Sequence, residues 1–401
     1  MLYSLMYTRT RMRLVVPLLV SMAVCACAMA GPVYPLKQNA NGRFLVDQHN
    51  TPFLMLGDAP QSLIVNLSDT DAASYFLDRQ QHGFNSLWVN LLCTTYTGGR
   101  PDSSTIGGVV PFTNTIPGTS SYDLSTPNPD YFAHADRMIK LAATYGLQII
   151  LDPIETGGYL GVMRDNGTVK CRAYGQYVGN RYKGFPNILW MSGNDFQSWR
   201  TASDDAVAVA VAQGILDNDR NHLHSVELNY LVSSSLDDTN WASIVGLNAA
   251  YTYSPTYAEV LHAYGQSSTT PVFMVEANYE FETNPATDGG SAFNLRLQEY
   301  WTQLSGGCGQ LYGNHYTWSF VPGWQAKLDT TGVTQFGYVK ALFEPRAWFQ
   351  LIPDTGHVVV TSGYGSFSSS GSIDSNDYAA AAGTGDGRLV MAYMPTLRTL
   401  T

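Results

Sequence analysis

From residue 53 to residue 343, short apolar runs alternate with longer stretches in which apolar positions recur every three or four residues. Runs of four to eight apolar residues fit strands buried on both faces, and the three-to-four spacing fits helices with one face turned inward. The pattern predicts strands over residues 53–58, 85–92, 147–152, 187–192, 222–228, 244–251, 271–276 and 310–320, the last longer and more polar. It predicts helices over 69–82, 129–145, 206–216, 258–263, 292–304 and 335–343. Residues 229–240, after the fifth strand, have no helical period and read as loop. Eight strands alternating with helices point to an α/β fold of the (β/α)8 TIM-barrel type over residues 31–345. The loop over 94–130 is rich in Gly, Pro, Ser and Thr and contains Tyr96, Arg100 and Tyr122. Loops of that length are usually functional or disordered, and strand-to-helix loops build the working face of a barrel. Residues 346–401 change character. Strand-like runs at 357–361 and 388–394 sit among Gly/Ser-rich segments, which reads as a small, incomplete β-sandwich module.

The first thirty residues stand apart. Arg9, Arg11 and Arg13 precede an apolar run over 14–26, and Ala28-Met29-Ala30 forms a small-x-small site before Gly31. This is the pattern of a cleaved signal peptide at 1–30, so the expectation is a secreted or periplasmic protein without a membrane span. Lipid anchoring at Cys27 is the lesser alternative, since Val24-Cys25-Ala26 fits a lipobox only in part. After the signal three cysteines remain, Cys93, Cys171 and Cys308. They allow at most one internal bridge, and without C-x-x-C or histidine spacing they read as small buried residues and give no metal site.

Composition then narrows the partner. The net charge of −10 argues against nucleic acid, whose phosphates need a basic surface. Only 13% of residues are charged, while 25 tyrosines and 8 tryptophans are present. Such a surface suits the C–H faces and hydroxyls of sugars. The sequence has no P-loop, no G-x-G-x-x-G after a strand, no H-E-x-x-H and no G-x-S-x-G, and no cofactor or metal is expected.

The strand ends carry the chemistry. Asp58, Asn90, Asp152, Asp195 and Glu276 fall at or just after the predicted strands, with His315 and Trp318 assigned to the eighth, and no lysine or arginine among them. Acids, amides and aromatics fit glycosidic chemistry, in which two carboxyls flank the scissile bond. Asp195 after strand 4 and Glu276 at the end of strand 7 face each other across a barrel mouth and form the candidate catalytic pair. Asp58, Trp88, Asn90, Asp152, Asn194, Tyr253, Glu280, His315 and Trp318 are the candidate substrate-binding residues. Asp58 reads equally as a helix cap, Trp190 reads as core, and Glu155 and Glu280 are alternative acids.

Four segments carry a family resemblance: FLMLGD at 53–58, PNILWMSGND at 186–195, VEANYE at 275–280 and LYGNHYTW at 311–318. Together they resemble the apiosidase-like glycoside hydrolases of family 140, over roughly residues 35–345. Residues from 346 resemble the start of a collagen-binding-type β module that often follows this barrel. The resemblance implies a two-carboxylate glycosidase with Asp195 and Glu276 as its acids; the leading reading is exo- or endo-action on a plant or microbial polysaccharide, and carboxyls on strands 4 and 7, with Glu276 suited to in-line attack, point to retention. The chain departs from the common pattern at Gly193-Asn194, where two glycines are usual. It departs again at DAPQ (58–61), which lacks the usual aromatic, and at CGQLYG (308–313). These changes surround the pocket and bear on the substrate more than on the reaction. A sugar-binding protein that keeps the barrel without turnover is the competing reading.

Overall fold

Residues 31–229, 232–283 and 289–401 are described by a computed structural model. The signal-peptide assignment at 1–30 lies outside them. Eight parallel strands form the barrel wall: β1 (Met55–Asp58), β2 (Ser86–Asn90), β3 (Gln148–Asp152), β4 (Ile188–Ser192), β5 (His224–Val226), β6 (Asn248–Thr252), β7 (Val272–Glu276) and β8 (Gly307–Tyr312). The ladder runs from β5 through β1 to β8 and on to β6, and β6 also pairs antiparallel with a short strand, Val232–Ser234. The seam between β5 and β6 has no regular ladder. Ser235 bridges it, its hydroxyl donating to the Val226 carbonyl (2.6 Å) and accepting from the Ala249 N–H (2.8 Å). Below, the Gly246 N–H donates to the His224 carbonyl at 2.8 Å.

Every barrel strand is buried along its length, which is why the apolar runs were legible without alternation. Register places the strand ends on one rim: Asp58 pairs with Tyr312, Asn90 with Asp152, and Tyr251 with Glu276.

Seven long helices surround the wall: α1 (Asp69–Gln81), α2 (Pro129–Thr144), α3 (Thr156–Tyr182), α4 (Ala202–Leu216), α5 (Thr256–Gln266), α6 (Ala292–Leu304) and α7 (Thr331–Phe343). Several are capped as their sequences dictate. Ser68 accepts from the Asp71 N–H to start α1, Asn128 from Asp130 ahead of Pro129 in α2, and Thr330 from Val333 in α7. The fifth unit has no α-helix; two 3₁₀ turns, Ser235–Asp237 and Thr239–Trp241, take its place, in line with the aperiodic sequence there.

The pattern analysis missed α3, whose glycines disguise it. A kink at Gly167 (φ +67°) divides it. Gly175 and Gly179 face α4, where a β-carbon would stand 2.1 Å from the Val211 carbonyl oxygen and 2.7 Å from that of Ile215. Here glycine does not break the helix; it lets two backbones approach closely. A second correction concerns the eighth strand. It ends at Tyr312, and His315–Trp318 is a helical turn started by the Asn314 side chain, so His315 and Trp318 sit beyond the strand.

At the C-terminal end a three-stranded antiparallel sheet forms from β9 (Leu351–Pro353), β10 (Ala380–Thr384) and β11 (Val390–Tyr393); residues 357–361 form no strand. Pro32–Thr401 is one compact unit. Tyr393 stacks on Tyr300 of α6 (4.6 Å, 12°), the Trp301 indole donates to the Tyr378 carbonyl (2.9 Å), and the Ser368 N–H donates to the Tyr257 hydroxyl (2.8 Å). All three described cysteines are buried free thiols.

Candidate active site

A cavity of about 180 Å³ opens at the C-terminal rim, lined by Gln61, Tyr96, Thr97, Asn194, Asp195, Tyr253, Glu276, Tyr279, Glu282 and Trp318. No cation is among these lining residues. Phenols hold the carboxyls in place of cations. The Tyr251 hydroxyl lies 2.8 Å from Asp195 Oδ1 and 2.9 Å from Glu276 Oε1. Tyr96 donates to Asp195 Oδ2 at 2.7 Å, Tyr279 donates to Glu276 Oε2 at 2.8 Å, and Tyr253 donates to Glu276 Oε1. Burial pushes the Asp195 carboxyl upward, against the pull of the Tyr96 and Tyr251 hydroxyls. Burial, and then the charge of Asp195, pushes Glu276 up to about 8, against three phenolic donors.

Each carboxyl arrives by a different local device. Glu276 closes the apolar strand β7. Asp195 follows a turn in which Gly193, Asn194 and Asp195 all have positive φ (+112°, +67° and +55°). Tyr96 is delivered by the 3₁₀ turn Thr95–Thr97, which Glu155 pins by accepting from the Thr94 N–H (2.7 Å) and hydroxyl (2.6 Å) and from the Thr97 hydroxyl. Glu155 is thus a buried anchor for the loop.

The remaining candidates divide. Asn194, Tyr253 and Trp318 line the cavity with the carboxyl pair. Asn90 lies fully buried beneath them, its amide donating to Asn194 Oδ1 at 3.4 Å. Four others are turned away from any ligand. Asp58 is fully buried against Arg79 (3.1 Å), the Tyr75 hydroxyl (2.6 Å) and the Ala59 N–H (2.7 Å), so its acceptors are used inside the fold. Trp88 is core. Asp152 is fully buried, accepts the Ile154 N–H, and is pushed well above the usual carboxylate range by burial. Glu280 accepts from Thr330 (2.5 Å), Tyr312 and the Gly332 N–H (3.1 Å), tying β8 to the start of α7. His315 is exposed and contacts Glu282 at 3.2 Å, not Glu276; the Trp318 indole donates to the same Glu282 oxygen at 2.6 Å.

Sequence reasoning did not single out Tyr251, Tyr279 or Glu227. Glu227 directly follows β5, is 1% exposed, and accepts the Asp195 N–H at 2.9 Å. An acid one residue past a short strand was the available signal. Reading the fifth strand through to residue 228 hid it.

A family model for the apiosidase-like catalytic domain matches residues 39–350. The chain belongs to the apiosidase-like family. Solved structures share this apiosidase-like barrel. A protein described as a glycoside hydrolase has 23% identity and a TM-score of 0.72, over 87% of this chain and 81% of its own. A glycoside hydrolase family 5 protein from Bacteroides vulgatus ATCC 8482 has 21% identity and a TM-score of 0.73, over 88% and 80%. The endo-1,4-β-mannanase of Rhizomucor miehei, at 12% identity and a TM-score of 0.51 over 76% and 99%, shares the fold alone. No protein of curated function matches the chain. Family and fold make it a glycoside hydrolase with a carbohydrate substrate. Among the described residues no helix is long and apolar enough to cross a membrane.

Proposed function

We propose that this glycoside hydrolase is an exported, retaining enzyme acting on a plant or microbial polysaccharide, with Asp195 as general acid/base and Glu276 as nucleophile. The observation that carries the reading is the Tyr251 hydroxyl between the two carboxyls. Two contacts of 2.8 and 2.9 Å to one oxygen keep those carboxylate oxygens within about 6 Å of each other. Retaining pairs stand about 5–5.5 Å apart, whereas inverting pairs need about 6.5–9.5 Å to admit a water.

The same hydroxyl supports the division of roles. One phenolic proton cannot serve two carboxylates. The contacts are satisfied when a single proton is shared by the pair: Asp195 donates to Tyr251, and Tyr251 donates to Glu276. Tyr253 and Tyr279 favour the charge on Glu276. Asp195 then protonates the leaving oxygen while Glu276 attacks the anomeric carbon; Asp195 next deprotonates the water that releases the glycosyl-enzyme. Residues 31–345 carry this chemistry, and 346–401 brace α5 and α6 from outside.

Three measurements test the proposal. Activity is first sought on aryl glycosides and pectic side chains, with Glu276→Gln as control; that variant is expected to lose turnover by orders of magnitude while still binding. Proton NMR of the first product is expected to show the retained anomer, and initial accumulation of the inverted anomer would make Glu276 a base. N-terminal sequencing of exported protein is expected to begin at Gly31.

A further inference from the structure

Asp is one methylene shorter than Glu, which withdraws its carboxyl by about 1.5 Å from where a glutamate at the same Cα would place it. At Gly193-Asn194-Asp195 the backbone enters the left-handed region at three successive residues. For the two that are not glycine this is a conformation L side chains rarely adopt, and it persists only where the surroundings enforce it. Thr156 holds the Gly193 and Asn194 carbonyls through its hydroxyl (2.8 and 3.0 Å), and Gln61 meets the Asn194 amide at 3.4 Å. At Asp195 itself the backbone restraint is the bond from its N–H to Glu227 Oε2. Strand β5 presses directly on the turn: a β-carbon at Gly193 would stand 2.1 Å from the Glu227 carbonyl oxygen.

We infer that Glu227 is the positioning residue for Asp195, its side chain fixing the left-handed turn that brings the shorter acid to the reacting bond. The inference rests on the two-carboxylate reading. Glu227 is not among the residues that line the cavity. It performs this task as a neutral acid. The groups acting on it are the carboxyls of Glu276, Asp195 and Asp152 and the phenols of Tyr96, Tyr251 and Tyr279, with no cation among them, and burial followed by the like charges keeps its proton on. Oε2 accepts the Asp195 N–H, which leaves Oε1 to carry the proton. A third negative charge here would raise both members of the reacting pair and leave Glu276 protonated. The neutral form anchors the turn without that effect.

The test compares Glu227→Ala with Glu227→Gln. Glu227→Ala is expected to lower kcat about 100-fold or more on an alkyl glycoside, whose leaving group needs the acid, and far less on the matching 4-nitrophenyl glycoside, with KM changed by less than about threefold. Glu227→Gln, whose amide oxygen can accept the same N–H, is expected to recover turnover to within about tenfold of wild type. Infrared difference spectra at neutral pH are expected to lose a protonated-carboxyl band in Glu227→Gln. Wild-type turnover in Glu227→Ala would overturn the positioning role. A Gln variant as impaired as Ala, or one with the full protonated-carboxyl band, would overturn the neutral anchor. Should Glu227→Ala fail to fold, Glu227→Gln and the spectra still decide. If instead Asp195→Asn and Glu276→Gln stay active, the two-carboxylate reading falls, and the spectra report on Glu227 independently of turnover.

Discussion

A β-carbon on Gly157 would stand 2.0 Å from Cε1 of Tyr96. The start of α3 can therefore pass beneath the tyrosine ring only because position 157 has no side chain. That contact steers the Tyr96 hydroxyl onto Asp195. Gly157→Ala should leave the backbone in place, displace the ring and remove one hydrogen bond to a carboxyl, worth about 1.5 kcal/mol or more. Steady-state kinetics should show kcat/KM about tenfold lower, with thermal stability close to wild type.

The pH profile should be bell-shaped, with both limbs belonging to the Asp195–Glu276 pair as a unit. Activity rises as the first proton leaves the pair and falls as the second does. Burial and mutual repulsion raise the pair, so the alkaline limb should lie near 8, far above an ordinary carboxyl. Profiles of kcat/KM for wild type and Tyr253→Phe check this. Removing a donor to ionised Glu276 should move the acidic limb upward.

Glu276 should also cost stability at high pH. The Asp195–Glu276 pair gives up its last proton near 8 when folded, against an ordinary carboxyl value of 4.5, so the folded chain holds this proton more tightly than the unfolded one. Stability attributable to the group is present below pH 4.5 and is lost as pH rises towards 8. Glu276→Gln removes the titration. Its melting temperature relative to wild type should climb across that window, by about 2 °C or more at the alkaline end, as scanning calorimetry can show.

Asp58 offers a test of structure against binding. Asp58→Ala would leave the buried Arg79 guanidinium only Asp78 and the Leu328 carbonyl, and would leave the buried Tyr75 hydroxyl without its acceptor, a loss of about 1–3 kcal/mol. Urea denaturation should show that loss, whereas a sugar ligand would instead give a raised KM at unchanged stability.

The barrel strands were legible because strands buried on both faces write themselves as unbroken apolar runs, and an acid ending such a run, like Glu276 after Val272–Val275, is conspicuous. Asp195 could be found in the same way. The residues that surround these two were less legible for definable reasons. Asp58 and Glu280 sit in the same sequence setting as true rim residues, and only Arg79 and Thr330, brought from distant elements, reveal that their carboxyls are used internally. Tyr251 ends a run in which nothing distinguishes a working hydroxyl from a core ring. Helix α3 was hidden because glycine weakens a helix in isolation, whereas Gly175 and Gly179 are required once α4 packs against it.

The aromatic seam between α5 and α6 and the C-terminal segment has a consequence for biosynthesis. Tyr257, Trp301 and Tyr300 leave the ribosome well before their partners at Ser368, Tyr378 and Tyr393. At elongation rates of about 5–20 residues per second the interval lasts several seconds. From residue 312 onward a nascent barrel with all eight strands translated still presents a bare indole and two phenols on its outer helices. The last stretch of the chain acts as a tethered cap that must arrive in time to shield them, so slow codons over residues 346–393 should lower soluble yield more than the same delay placed within the barrel.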